Sequence, residues 1–167
     1  RVSANRGVEL LELGRHDQAL ELLTDAGNVF YAEGDSMESA RCLAYAAKAH
    51  ARAGRYGSSV DTLAEADARL GQLEPSHDHY RTSLVWAEVY AVLNLTDEAL
   101  TAYANAYSGL SRIGMAYHAA RALFGWGIAL CAAGEFVRSA EKLAAAEAAF
   151  LALENKTLVQ RVGVEQA

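Results

Sequence analysis

The feature that most constrains this chain is a register that repeats every 40 residues. Leu13-Gly14-Arg15, Ala53-Gly54-Arg55, Leu93-Asn94-Leu95 and Ala133-Gly134-Glu135 occupy the same phase without slippage, and so do Arg1, Arg41, Arg81, Arg121 and Arg161. Small residues hold two further columns, at Ala19, Ser59, Ala99 and Ser139 and at Ala26, Ala66, Ala106 and Ala146. Leu23, Leu63, Tyr103 and Leu143 form a column of large side chains. The 167 residues therefore divide into four 40-residue units, 1–40, 41–80, 81–120 and 121–160, with 161–167 starting a further or capping helix. A unit this short cannot bury its apolar face alone, so it must stack on its neighbours.

Each unit reads as two helices. In the fourth, Leu123, Trp126, Leu130 and Ala133 fall on one face of a first helix, and Ala140, Leu143, Ala144 and Phe150 on one face of a second. Gly14, Gly54 and Gly134 stop the first helices, because the residue after a helix C-cap often turns left-handed and Gly does so without a Cβ penalty. Asn94, which also tolerates that conformation, holds the place in the third unit. Thr96-Asp97-Glu98 is expected to open a second helix with a capping hydroxyl and acids at its positive end. Second helices end near Gly34, Glu74-Pro75 and Gly114, and first helices restart through Asp35-Ser36 or Ser76. Nothing reads as a strand, so the chain is all-α, with connections of about 2–8 residues. Ala or Ser marks close helix crossings. Trp86, Trp126, Leu63 and Leu143 read as core.

Composition narrows the function classes. The net charge is −6 with 15 Lys+Arg against 21 Asp+Glu, and the pI is about 5.3. A dedicated nucleic-acid binder usually has a domain pI above about 9. Ala99 to Ser111 and Ala122 to Gly134, the longest uncharged stretches, have 13 residues each, against the roughly 20 of a membrane span. Two cysteines make no disulfide framework, so a reducing cytoplasm is expected. With no initiating Met before Arg1, the chain is expected to be part of something longer.

These columns resemble the tetratricopeptide repeat (TPR) family over essentially the whole chain. Its pattern has a large, a small and an aromatic or aliphatic residue in the first helix, a Gly before the turn, and Ala, an aromatic and Ala in the second. The fourth unit matches it as Leu123, Trp126-Gly127, Leu130, Gly134, Phe136, Ser139, Leu143 and Ala146. The second matches as Leu43, Ala46-Ala47, His50, Gly54, Tyr56, Ser59, Leu63 and Ala66. The third matches as Trp86-Ala87, Tyr90, Ala99, Tyr103 and Ala106, while the first is looser and looks like an end unit. Two departures stand out: the period is 40 residues in place of 34, and the family's Pro after the second helix is missing. The longer unit is similar to the repeats of kinesin light chains and of sensor arms in bacterial transcription regulators.

The resemblance implies a right-handed superhelical solenoid of antiparallel helix pairs, with first helices lining a concave groove. Carried over by phase, the groove receives Arg1, Ala4, Val8, Leu11 and Glu12 from the first unit and Arg41, Ala44, Lys48, Ala51 and Arg52 from the second. The third adds Arg81, Leu84, Glu88, Ala91 and Val92, and the fourth Arg121, Phe124, Ile128, Cys131 and Ala132. Arg41, Lys48, Arg52, Arg81, Leu84, Glu88, Arg121, Phe124 and Ile128 are the candidate partner-binding residues. Residues 1–40 hold 3 cations and 8 acids, most of the net charge, whereas the projected groove is mildly basic and suits an acidic or carboxylate-bearing partner. The Arg column has a second reading, salt bridges to acids such as Glu38 or Asp78 at its own helix starts. Leu84, Val92, Phe124, Ile128 and Cys131 would form an exposed apolar strip, either an interaction surface or a seat for a helix starting near Thr157. The chaperone-binding carboxylate clamp is not matched, since Ala4, Val8 and Tyr45 stand where its Lys and Asn residues would be.

Other chemistry is thin. His77-Asp78-His79 reads as a solvated loop without the three or four converging ligands of a zinc site. Cys42 and Cys131 lie two units apart, too far to pair. His50 sits on a core column. No catalytic constellation or phosphate-binding Gly loop is present, so no enzyme, metal or cofactor is expected. The expected function is a protein-interaction module, the regulatory or sensory part of a larger bacterial protein, holding a peptide, a partner helix or another domain of its own chain. The alternatives are a sensor of a small molecule or signalling peptide and a structural self-association unit.

Overall fold

The computed structural model describes residues 2–70 and 77–153, the side chains of 77 and 78 excepted. They form eight α-helices and no strand: α1 (Val2–Glu12), α2 (His16–Ala32), α3 (Ser36–Arg52), α4 (Tyr56–Leu70), α5 (His77–Val92), α6 (Thr96–Arg112), α7 (Ala116–Ala132) and α8 (Phe136–Ala152). Arg1, the Glu74-Pro75-Ser76 junction and the fifth helix expected from Arg161 lie outside the described residues. The His77-Asp78-His79 stretch, read from sequence as a loop, instead opens α5.

The turns repeat on half the sequence period. Gly14, Gly34, Gly54, Asn94, Gly114 and Gly134 all have φ between 58° and 81°, at 20-residue spacing except across the residues around 74. At each, the backbone closes the same pair of hydrogen bonds. Gly54 N–H donates to Ala51 O at 3.0 Å and Arg55 N–H to His50 O at 2.9 Å, and Gly134 and Glu135 repeat the pattern on Cys131 and Leu130. This satisfies helix-end carbonyls and leads straight into the next helix. An L-residue without a short polar side chain is strained there by roughly 1–2 kcal/mol. Gly54→Ala is therefore expected to lower the stability by about that amount in a urea titration, and Asn94→Gly to leave it unchanged or raise it slightly.

One expected cap is replaced. Thr96 is the first helical residue of α6, Leu95 holds the cap position, and no side-chain bond closes that end. Asp35 does cap α3, its Oδ1 accepting from Glu38 N–H at 3.1 Å.

Helix pairs cross where the small columns lie. Ser39, Ser59 and Ser139 hydroxyls donate to Gly27 O, Ala47 O and Gly127 O, each at 2.8 Å and each 12 residues back. Neighbouring helices approach closely at these bonds, and a buried hydroxyl needs such a partner. The buried stripe of α8 is Ser139, Leu143, Ala146 and Phe150. Ala140 and Ala144, expected on that face, are exposed, because only the narrow side around the Ser139 crossing meets α7. Leu63 and Leu143 are buried, and Trp86 and Trp126 pack partly buried at the edges of the core.

Consecutive helices pack on each other from α1 to α4 and from α5 to α8. Between those runs the main joint is α3 against α5, with Trp86 filling the space beside Leu63 and Leu70 of α4. By contrast α1 and α3, and α5 and α7, touch only slightly. That leaves a gap between α5 and α7 through which the second helices are reached.

Candidate functional site

The gap opens into a cavity of about 510 Å³ whose walls come from α1, α3, α5, α6, α7 and α8. Its charged half is a ladder across all four first helices. Lys48 Nζ on α3 donates to Glu88 Oε2 on α5 at 2.6 Å and to Glu12 Oε1 on α1 at 3.3 Å. Arg121 Nη2 on α7 donates to the other Glu88 oxygen at 2.6 Å. Arg52 stands 3.6 Å from Glu12 Oε2. Lys48 and Glu88 occupy the same phase of adjacent units, so α3 packing on α5 brings them face to face.

Burial and charge oppose each other here. Burial alone would raise the Glu88 carboxyl, but Lys48 and Arg121 outweigh it and hold the group below the usual carboxylate range. Glu12 follows the same pattern, burial being offset by Lys48 and Arg52. Burial disfavours the charged form of Arg121, and Glu88 more than restores it. Tyr103 is raised, mainly by burial and then by the Glu88 carboxylate.

The other half of the cavity is apolar and aromatic. Val92, Phe124, Ile128, Ala129 and Ala132 line it, with Tyr45, Tyr103, Tyr117 and Phe150. Tyr103 comes from α6 and packs over Gly125 of α7, where a Cβ would lie 2.5 Å from its Cε1. Sequence reasoning placed Tyr103 in a core column and did not name Tyr117 or Phe150 as groove residues. One signal was present: Tyr103 is the only aromatic of its column, and Gly125 supplies the space it needs.

The candidate residues separate into two sets. Lys48, Arg52, Glu88, Arg121, Phe124 and Ile128 line the cavity. Arg41 and Arg81 do not; Arg41 pairs with Glu38 at the start of α3. Leu84, at 2 % exposure, is packed against Ala106, Leu110 and Ala122 in the core. Ala4, Leu11, Ala44 and Ala51 are likewise buried, because a first helix is covered by neighbours on two sides and shows the cavity only a narrow stripe. Cys131 is exposed outside the lining. Burial pushes the Cys42 thiol up to about 11, so it stays protonated and unreactive. His50 is partly buried, with no hydrogen-bond partner at Nδ1.

His118, beside the cavity-lining Tyr117, gives the chain an acid response. Burial, then Arg81 and Arg121, lower it from 6.5 to about 4. The folded state keeps it neutral while the unfolded chain takes up a proton, so stability falls as pH drops from about 6.5 to about 4. Glu12 and Glu88, depressed below 4.5, lose their contribution as pH falls further, through their folded values. Urea midpoints are therefore expected to be level from about pH 6.5 to about pH 8, below the range in which an unfolded thiol ionises, and to decline in two stages below pH 6.5. His118→Gln should shrink the first stage and leave the second, the remainder of the first belonging to His50, which burial and then Arg55 also hold below 6.5.

No known protein family matches this chain, and no curated protein is significantly similar to it. Among the described residues, no group of three or more His, Cys, Asp or Glu is placed to hold a metal ion, and no helix is long and apolar enough to cross a membrane.

Proposed function

We propose that this chain is a TPR-like module, a right-handed solenoid of helix pairs that holds a peptide, a partner helix or another domain on the surface made by α1, α3, α5 and α7. The observation that carries the reading is the 510 Å³ cavity, whose charged ladder is held in place while apolar side chains beside it stay uncovered. Ile128 keeps 38 % of its surface exposed in that wall. Apolar surface left open beside fixed polar groups is what a recognition site requires. The module is non-catalytic in this reading, and it acts as the regulatory or sensory part of a larger bacterial, cytoplasmic protein.

The test is selection of peptides from a random display library on the folded chain. Selected peptides are expected to bind Ala132→Trp, which fills the exposed end of the cavity, at least tenfold more weakly. Equal binding to both forms would move the partner site elsewhere.

One observation favours a second reading, a ligand sensor. The volume lies within the roughly 300–1,000 Å³ typical of small-molecule pockets. A sensor would gain about 2.7 kcal/mol at a hundredfold excess of ligand over Kd, without any partner protein.

A further inference from the structure

Arg52 is the least satisfied cation of the ladder. Lys48 and Arg121 each reach a Glu88 oxygen at 2.6 Å, whereas Arg52 meets Glu12 at 3.6 Å, beyond hydrogen-bond range, and makes no hydrogen bond among the described residues. A guanidinium carries five donors in a fork that matches a carboxylate. The Arg52 side chain is 35 % exposed and lines the cavity. The ionisable Lys, Arg and Glu side chains of the lining are Lys48, Arg52 and Arg121 against Glu12 and Glu88, which leaves one positive charge without a counterpart. Lys48 is 3 % exposed, so water does not fully screen the set.

The register extends this charge into a row. Glu12, Arg52, Val92 and Ala132 hold one phase of the four units, and Val8, Lys48, Glu88 and Ile128 hold the phase one helical turn earlier. All eight line the cavity. Going from Arg52 along the row, charge gives way to the apolar wall of Val92, Ala132, Ile128 and Phe124.

We infer that the cavity takes an extended peptide segment carrying one acidic side chain seated on Arg52 and one bulky apolar side chain against Val92, Phe124, Ile128 and Ala132. This rests on the reading of the cavity as a peptide seat. The row crosses one or two helix intervals of roughly 8–10 Å, and an extended chain rises about 3.3 Å per residue. The acidic residue therefore stands about three to six residues from the apolar one.

The experiment uses 12-residue peptides selected by display on the full 167-residue chain, followed by fluorescence anisotropy. The enriched peptides are expected to share an Asp or Glu three to six residues from a Leu, Ile, Phe or Trp. Changing that acid to its amide, or Arg52→Gln in the protein, should each weaken binding at least tenfold. The two changes together should weaken it little further, because they remove one contact. Circular dichroism checks that Arg52→Gln folds. Enriched peptides without the acid, no enrichment at all, or losses that simply multiply would overturn the inference. Peptides that lose affinity on Ala132→Trp but ignore Arg52→Gln would overturn it while leaving the cavity as the binding site. Peptides indifferent to Ala132→Trp would remove the underlying reading as well.

Discussion

Glu88→Ala is expected to destabilise the fold by about 3–5 kcal/mol, the usual cost of deleting one partner from a buried ion pair. Glu88 accepts from Lys48 with one oxygen and from Arg121 with the other. Without it, a Lys48 side chain only 4 % exposed retains a single 3.3 Å contact, to the exposed end of Glu12. The cost would come from that stranded charge and not from attraction lost in water. The double change Lys48→Met with Glu88→Leu removes the stranded Lys48 charge and keeps the volume, so it should recover part of the loss, the remainder staying with Arg121, which still lacks its Glu88 partner. Arg138→Ala serves as the contrast. It breaks an exposed pair with Glu135, the cap residue of α8, and should change stability by no more than about 0.5 kcal/mol. Urea titrations of the four proteins at pH 7 make the comparison. A Glu88→Ala protein as stable as the wild type would mean that the ladder stays hydrated and that the cavity walls are not held by charge.

Phe150→Ala should be equally severe, at about 3–5 kcal/mol, for a different reason. Phe150 is fully buried on α8, packed with Ala120, Leu123, Leu143 and Ala146, and its ring lies 6.4 Å from that of Tyr117. It also contributes to the cavity lining, so truncation joins a new void to an existing one. Ile128→Ala in the same lining should cost far less, since its side chain is already partly in water. A library peptide that binds through the apolar wall should respond in the opposite order, losing more to Ile128→Ala than its stability change would suggest. Stability and binding measured side by side would thus separate the residue that builds the wall from the residue that presents it.

Much of the architecture was legible because it rests on local rules. The phase of Gly14, Gly54, Asn94 and Gly134 marks left-handed turns from the backbone needs of one residue. The column that holds Ser59 and Ser139 marks helix crossings because a small side chain suits a close approach. The site was half legible. Phase alone put Lys48, Arg52, Glu88 and Arg121 on one surface but treated Lys48 and Arg52 as open positive charge. It also sent Leu84 to the surface, because phase gives a direction on the helix and not what covers it, and it placed Tyr103 in the core, where it is buried, without showing that it also lines the cavity.

The sequence by itself therefore determined that the chain is a run of short helices joined by tight turns, since turn conformation and helical periodicity depend on neighbours a few residues apart. Only the tertiary structure decided that α3 packs on α5 while α5 and α7 stay apart. That one difference in spacing turns Lys48 and Glu88 into a buried pair and opens the cavity. The distance between two helices is set by every side chain packed between them, here above all Trp86 and its neighbours, and no single column of the repeat records it.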